Sequence, residues 1–181
     1  LKFTLFEKYQ TIKTQMNKEQ IIQQLINSYS DAYQNLGYSS LMGKIVALLL
    51  SEPEPVSLDQ ISESLSMSKG PVSQICRKLK EHRLIEKVWI PGERKDYYKA
   101  ADDIFGQAFS NYAHSMKRNL AIAEQCMNEL EKLSGQDKQT DHLEARMREM
   151  ANFYRAMDQH NKDFIEEWRK NIKPEIVDVV N

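Results

Sequence analysis

Apolar residues first recur at regular helical spacing at Ile21, Ile22, Leu25, Ile26, Tyr29, Ala32, Tyr33 and Leu36, which defines one amphipathic helix. Asn17 followed by Gln20 supplies a capping box at its start, and Gly37 stops it. A second, more apolar helix begins near Ser39 or Ser40 and runs through Leu41, Ile45, Leu48 and Leu49 to Leu50. Ser51-Glu-Pro53-Glu-Pro55 ends it, because prolines forbid its continuation. Ser57-Leu-Asp-Gln60 repeats the capping pattern and opens a short helix with Ile61 and Leu65 turned inward, which must stop where Ser66-Met-Ser68 offers a new cap. The next helix, from Lys69 to about His82, gathers Val72, Ile75, Cys76 and Leu79 on one face. Its first turn contains Pro71, where a missing N–H costs little.

From Leu84 the period changes. Ile85, Val88, Trp89 and Ile90 favour a strand, Pro91-Gly92 signals a turn, and Tyr97-Tyr98-Lys99-Ala100 returns as a second strand. Helix, short helix, helix and hairpin in this order predict a winged helix-turn-helix, so the fold class is mainly α with a small β-hairpin wing. After Asp102 a long helix runs to Gly135 with Phe109, Met116, Ala123 and Leu130 seven apart and Ala113, Leu120 and Met127 between them, the pattern of a coiled-coil seam. The polar stretch Gly135 to Thr140 serves as linker. Leu143, Met150, Met157 and Phe164, interleaved with Met147, Tyr154, Asn161 and Trp168, form a second seam that Pro174 ends. The expected division is an N-terminal extension over 1–16, a winged helix-turn-helix over 17–101, a dimerisation helix over 102–135 and a C-terminal helical segment over 136–181. Two long amphipathic helices with little to cover them predict a homodimer.

Charge sharpens this picture only when taken by segment. The 181 residues carry a formal net charge of -1, so the chain is no generic polycation. Between Ser66 and Lys99, however, nine Lys or Arg face four acids. On the helix that starts at Lys69, the polar positions Ser68, Lys69, Gly70, Ser73, Gln74, Arg77 and Lys78 lie away from the apolar face. They offer hydroxyl, amide, cationic and backbone N–H groups suited to base edges and phosphates. At the hairpin tip Arg94 and Lys95 stand on a tight turn, a geometry suited to a neighbouring minor groove. Double-stranded DNA is the partner these groups point to.

Other chemistries find little support. Cys76 and Cys126 lack metal-ligand spacing and fit a reducing cytoplasm, the four histidines are scattered, and there is no Gly-rich phosphate loop or nucleophile elbow. No cofactor, no metal and no enzymatic activity are expected. The longest apolar run, Ile45 to Leu50, is too short to span a bilayer, and no signal peptide opens the chain, so a soluble cytoplasmic protein is expected.

Three segments, Leu41-Met-Gly-Lys-Ile-Val-Ala-Leu-Leu-Leu50, Ser68-Lys-Gly-Pro-Val-Ser73 and above all Lys87-Val-Trp-Ile-Pro-Gly-Glu-Arg-Lys-Asp-Tyr-Tyr98, resemble the GbsR/MarR-like group of transcriptional regulators. The resemblance covers about Gly37 to Leu133. It implies a homodimeric winged-helix protein that binds a pseudo-palindromic operator, often as a repressor. Members of this group regulate uptake or synthesis of glycine betaine, and one branch senses choline through an aromatic-rich pocket. A quaternary ammonium needs an aromatic cage. Phe109, Tyr112, Phe153, Tyr154 and Trp168 are the candidates for a choline-like or osmoprotectant-related effector here. The rival is a winged-helix protein-protein interaction module that holds a partner on its Met- and aromatic-rich C-terminal helix.

Overall fold

Both capping boxes close with full hydrogen bonding in a computed structural model of the protein, which describes residues 16–133 and 137–174. Except for Met16, the expected extension over 1–16 lies outside the described residues. At the first cap, Asn17 Oδ1 accepts from Gln20 N at 2.8 Å and Gln20 Oε1 accepts from Asn17 N at 3.0 Å, which starts α1 (Lys18–Asn35). At the second, Ser57 Oγ accepts from Gln60 N at 3.2 Å and Gln60 Oε1 accepts from Ser57 N at 2.9 Å, which starts α3 (Leu58–Ser64). Between them, α2 (Ser40–Ser51) buries eight residues and forms the floor of the core. Gly37, with φ of +81°, provides the left-handed turn that separates α1 from α2.

The chain forms two compact units. In the first, α3 and α4 (Lys69–Glu81) are joined by a tight turn in which Ser66 adopts φ of +51°. Met67 N donates to Ser62 O at 2.9 Å and Ser66 N to Glu63 O at 3.0 Å, so Ser66 closes α3 instead of capping α4. Val72, Cys76 and Leu79 are fully buried where α4 packs on α2 and α3, as are Ile45, Val46 and Ile61, while Ile75 is only half-buried. Full burial of Val72 and of Leu79 is worth about 1.5–3 kcal/mol each relative to exposure.

The hairpin consists of β2 (Ile85–Val88) and β3 (Tyr97–Ala100), paired antiparallel. A third strand, β1 (Val56–Ser57), adds to the far side of β3, so the sheet order is β1-β3-β2. The hairpin pattern did not foresee β1. Mainly helical sequence around a small antiparallel sheet is the winged-helix class expected from the element order.

In the second unit, α5 (Ile104–Leu130) and α6 (Lys138–Glu167) lie antiparallel. Phe109 meets Phe164 edge-on at 4.9 Å, Lys117 pairs with Asp158 at 3.4 Å, and Arg155 pairs with Glu124 at 3.0 Å. The two heptad seams therefore face each other within one chain, with Ala123 and Ala151 fully buried between the helices. Helix α6 also starts earlier than the expected linker allows: Asp137 Oδ1 accepts from Thr140 N at 2.8 Å, which makes Lys138 to Thr140 the first helical turn. At its far end a π-helical turn spans Trp168–Ile172. There Trp168 Nε1 and Arg169 Nε donate to the two oxygens of Asp103, each at 2.8 Å.

Candidate nucleic-acid interface

Burial of Val72, Cys76 and Leu79 fixes which side of α4 faces water. Lys69, Gly70, Gln74, Arg77 and Lys78 are exposed and Ser73 is half-buried beside them. Val72 N donates to Ser68 O, the first bond of the helix, so the N–H groups of Lys69 and Gly70 precede the ladder at its positive end. Nothing lies within 4 Å of the position a Gly70 Cβ would take, which leaves that backbone open to close approach.

The wing tip is shaped by Ile90-Pro-Gly-Glu93, where Glu93 N donates to Ile90 O at 3.1 Å and Gly92 holds φ of +84°, as a type II turn requires. Arg94 and Lys95 follow, both exposed. Leu58 N donates to Asp96 O at 2.9 Å, which ties the end of the wing to the start of α3. Trp89 is 77% exposed at the base of the loop.

Ion pairs divide the cations into two groups. Lys87 bonds Asp96 at 2.7 Å, which raises the lysine's pKa, and Lys99 lies 3.4 Å from its cross-strand partner Glu86. Lys69 and Lys95 both reach Asp59, at 2.7 and 3.5 Å. The Lys69 hydrogen bond, aided by Lys95, outweighs partial desolvation and holds the Asp59 carboxyl below the usual carboxylate range. Among the described residues, no carboxylate lies within ion-pair distance of Arg77, Lys78 or Arg94. The same holds for Lys80 and Arg83, so five of the nine cations in this window are left for an external anion, Arg77, Lys78 and Arg94 standing on the recognition face and wing tip. Asp59 falls outside the charge window counted between Ser66 and Lys99, and its position in the first turn of a capped helix gives no hint of lysines ten and thirty-six residues further on.

The aromatic candidates do not converge in the protomer. Phe153 and Tyr154 meet edge-on at 5.3 Å, Phe109 pairs instead with Phe164, and Trp168 is engaged by Asp103. Tyr112 is exposed on α5. No group of three or more metal-ligating side chains occurs among the described residues, and no helix of theirs is long and apolar enough to cross a membrane.

A helix-turn-helix whose second helix shows a polar face beside a cationic hairpin defines the winged-helix class. A solved structure described as that of a transcriptional regulator has the same fold, with a TM-score of 0.70 at 19% identity over 83% of this chain and 99% of that one. In sequence, the chain is 26% identical over 132 residues to the HTH-type transcriptional repressor OpcR of Bacillus subtilis, a match that covers 71% of each protein. It is 25% identical over 92 residues to the HTH-type transcriptional regulator MmpR5 of Mycobacterium tuberculosis, covering 50% of this chain and 56% of that protein. No family model matches the chain.

Proposed function

We propose that the chain is a DNA-binding transcriptional regulator of the GbsR/MarR-like kind, a homodimeric repressor acting in the cytoplasm on a pseudo-palindromic operator. The observation that carries this reading is the outer face of α4, where Ser73, Gln74, Arg77 and Lys78 stand free of internal ion pairs opposite the buried Val72, Cys76 and Leu79. An arginine can grip guanine O6 and N7 and a glutamine adenine N6 and N7, each bidentate contact discriminating by about 1–3 kcal/mol. Arg94 at the wing tip suits the adjacent minor groove or its phosphates. The repressor name of OpcR supports the direction of regulation.

Dimerisation rests on different residues from those the heptads suggested. The seams of α5 and α6 face each other, with Leu143 and Phe164 of the second seam still partly exposed, and Phe105, Tyr112, Ile122 and Phe153 stand exposed outside them. These large apolar groups are what a second copy would bury. A choline-like effector enters the reading as a ligand that binds one half-site spacing better than another and so shifts the equilibrium between them.

The same exposed groups favour the second reading, a protein-interaction module. Binding to fragments of the promoter upstream of the protein's own gene, at several salt concentrations, separates the two. Tight, site-selective, salt-dependent binding that Arg77→Ala with Arg94→Ala abolishes is the expected result. Uniformly weak binding by both proteins would instead favour the interaction module.

A further inference from the structure

Asp59 stands where three parts of the reader converge. It belongs to the first turn of α3, its Oδ1 meets Lys69 Nζ at the start of α4, and its Oδ2 meets Lys95 Nζ on the wing. One residue earlier, Leu58 N holds Asp96 O of the same wing. The side chains of Asp59, Lys69 and Lys95 are 40%, 67% and 56% exposed, so these ion pairs lie in water, where such pairs add little stability. The consequence of a carboxylate at this point comes when a polyanion arrives. A phosphate can take either ammonium group only by displacing the carboxylate or by sharing the cation with it, and the carboxylate stays close enough to repel the phosphate.

Building on the DNA-binding reading, we propose that Asp59 is an affinity-setting residue: its carboxylate stands in for backbone phosphate on Lys69 and Lys95 and limits their contribution to duplex binding. Arg77, Lys78 and Arg94, which have no such competitor among the described residues, then supply the dominant cationic contacts. The effect is independent of base sequence, because phosphates are the same at every step. Asp59 remains ionised well below neutrality, since Lys69 and Lys95 hold its pKa down, so the limit persists across the physiological range.

The test is a titration of operator and random-sequence duplex with wild type, Asp59→Asn and, as a second neutral form, Asp59→Ser, at several salt concentrations, with thermal melting as the fold control. Removing the competitor should tighten binding to both duplexes by about three- to tenfold at low salt and steepen the slope of log K against log salt by about one to two. In a Lys69→Gln, Lys95→Gln background the same Asp59 change should have no effect. Unchanged or weaker binding by both folded Asp59 variants would overturn the proposal. So would equal tightening in the background without the lysines, which would reveal a general field effect. A wild-type protein with no selective, salt-dependent duplex binding would overturn the regulator reading itself, and the role of Asp59 with it.

Discussion

Replacing Gly43 by alanine adds one methyl group at the closest approach of α1 to α2. An ideal Cβ there would lie 2.2 Å from Tyr29 O, 2.6 Å from Tyr29 C and 3.0 Å from Ser30 N. All three atoms belong to the α1 backbone, which cannot swing aside as a flexible side chain would. Restoring ordinary contact requires α1 to retreat by about 1 Å. That movement loosens the packing of Ile26 and Ser30, the residues α1 buries. Overpacking costs about 1–3 kcal/mol, and the backbone clash argues for the upper half of that range. Alanine in a helix interior recovers about 1 kcal/mol. The expected net loss is about 1–2 kcal/mol, or a fall in Tm of about 2–8 °C for a chain of this size. Gly70→Ala is the matched control, because its added methyl meets nothing within 4 Å; it should leave stability unchanged or raise it by up to about 1 kcal/mol. Thermal melting followed by circular dichroism, with urea unfolding alongside, measures both. A Gly43→Ala protein as stable as the wild type would refute the argument from backbone contact.

Ser57→Ala removes the acceptor at the start of α3 and should cost about 1 kcal/mol in urea unfolding; no loss would mean that the cap is dispensable. For Asp103, partial burial pushes the pKa up, but the Trp168 and Arg169 donors outweigh it and hold the carboxyl below its ordinary value. Its stabilising contribution is therefore present above the unfolded-state pKa and is lost as pH falls below about 4. Asp103→Asn should be less stable than wild type near neutrality and should show a shallower acid decline in Tm, whereas parallel profiles would contradict the assignment. Burial pushes the Cys76 thiol up to about 12, so it should resist alkylation at pH 8 in the folded protein and react once unfolded, as peptide mass mapping would show.

What the sequence disclosed, it disclosed through local rules. A capping box needs only four consecutive residues, and both boxes and the positions of Gly37 and Gly92 followed from that short range. Strand β1 escaped notice because two residues after Pro55 carry no alternation, and its pairing with Tyr97 and Tyr98 is made forty residues away. The first turn of α6 looked like linker because Lys138, Gln139 and Thr140 are polar, as a solvated helix start also is. Heptad spacing correctly marked which faces of α5 and α6 are apolar, but period alone carries no address, and those faces met within the chain. The polar face of α4 was legible from its buried opposite side. The sharing of Lys69 and Lys95 by Asp59 depends on tertiary approach and was not.

The position of β3 between its two neighbours bears on how this protein avoids uncontrolled self-association. An open sheet edge is a template onto which another chain can add. Here one edge is β1, only two residues long and preceded by Pro55, which has no N–H to offer. The other edge is β2, where Glu86 and Lys87 place charges of opposite sign at successive positions. Neither edge provides a long, apolar ribbon, so continuation of the sheet into fibres is discouraged.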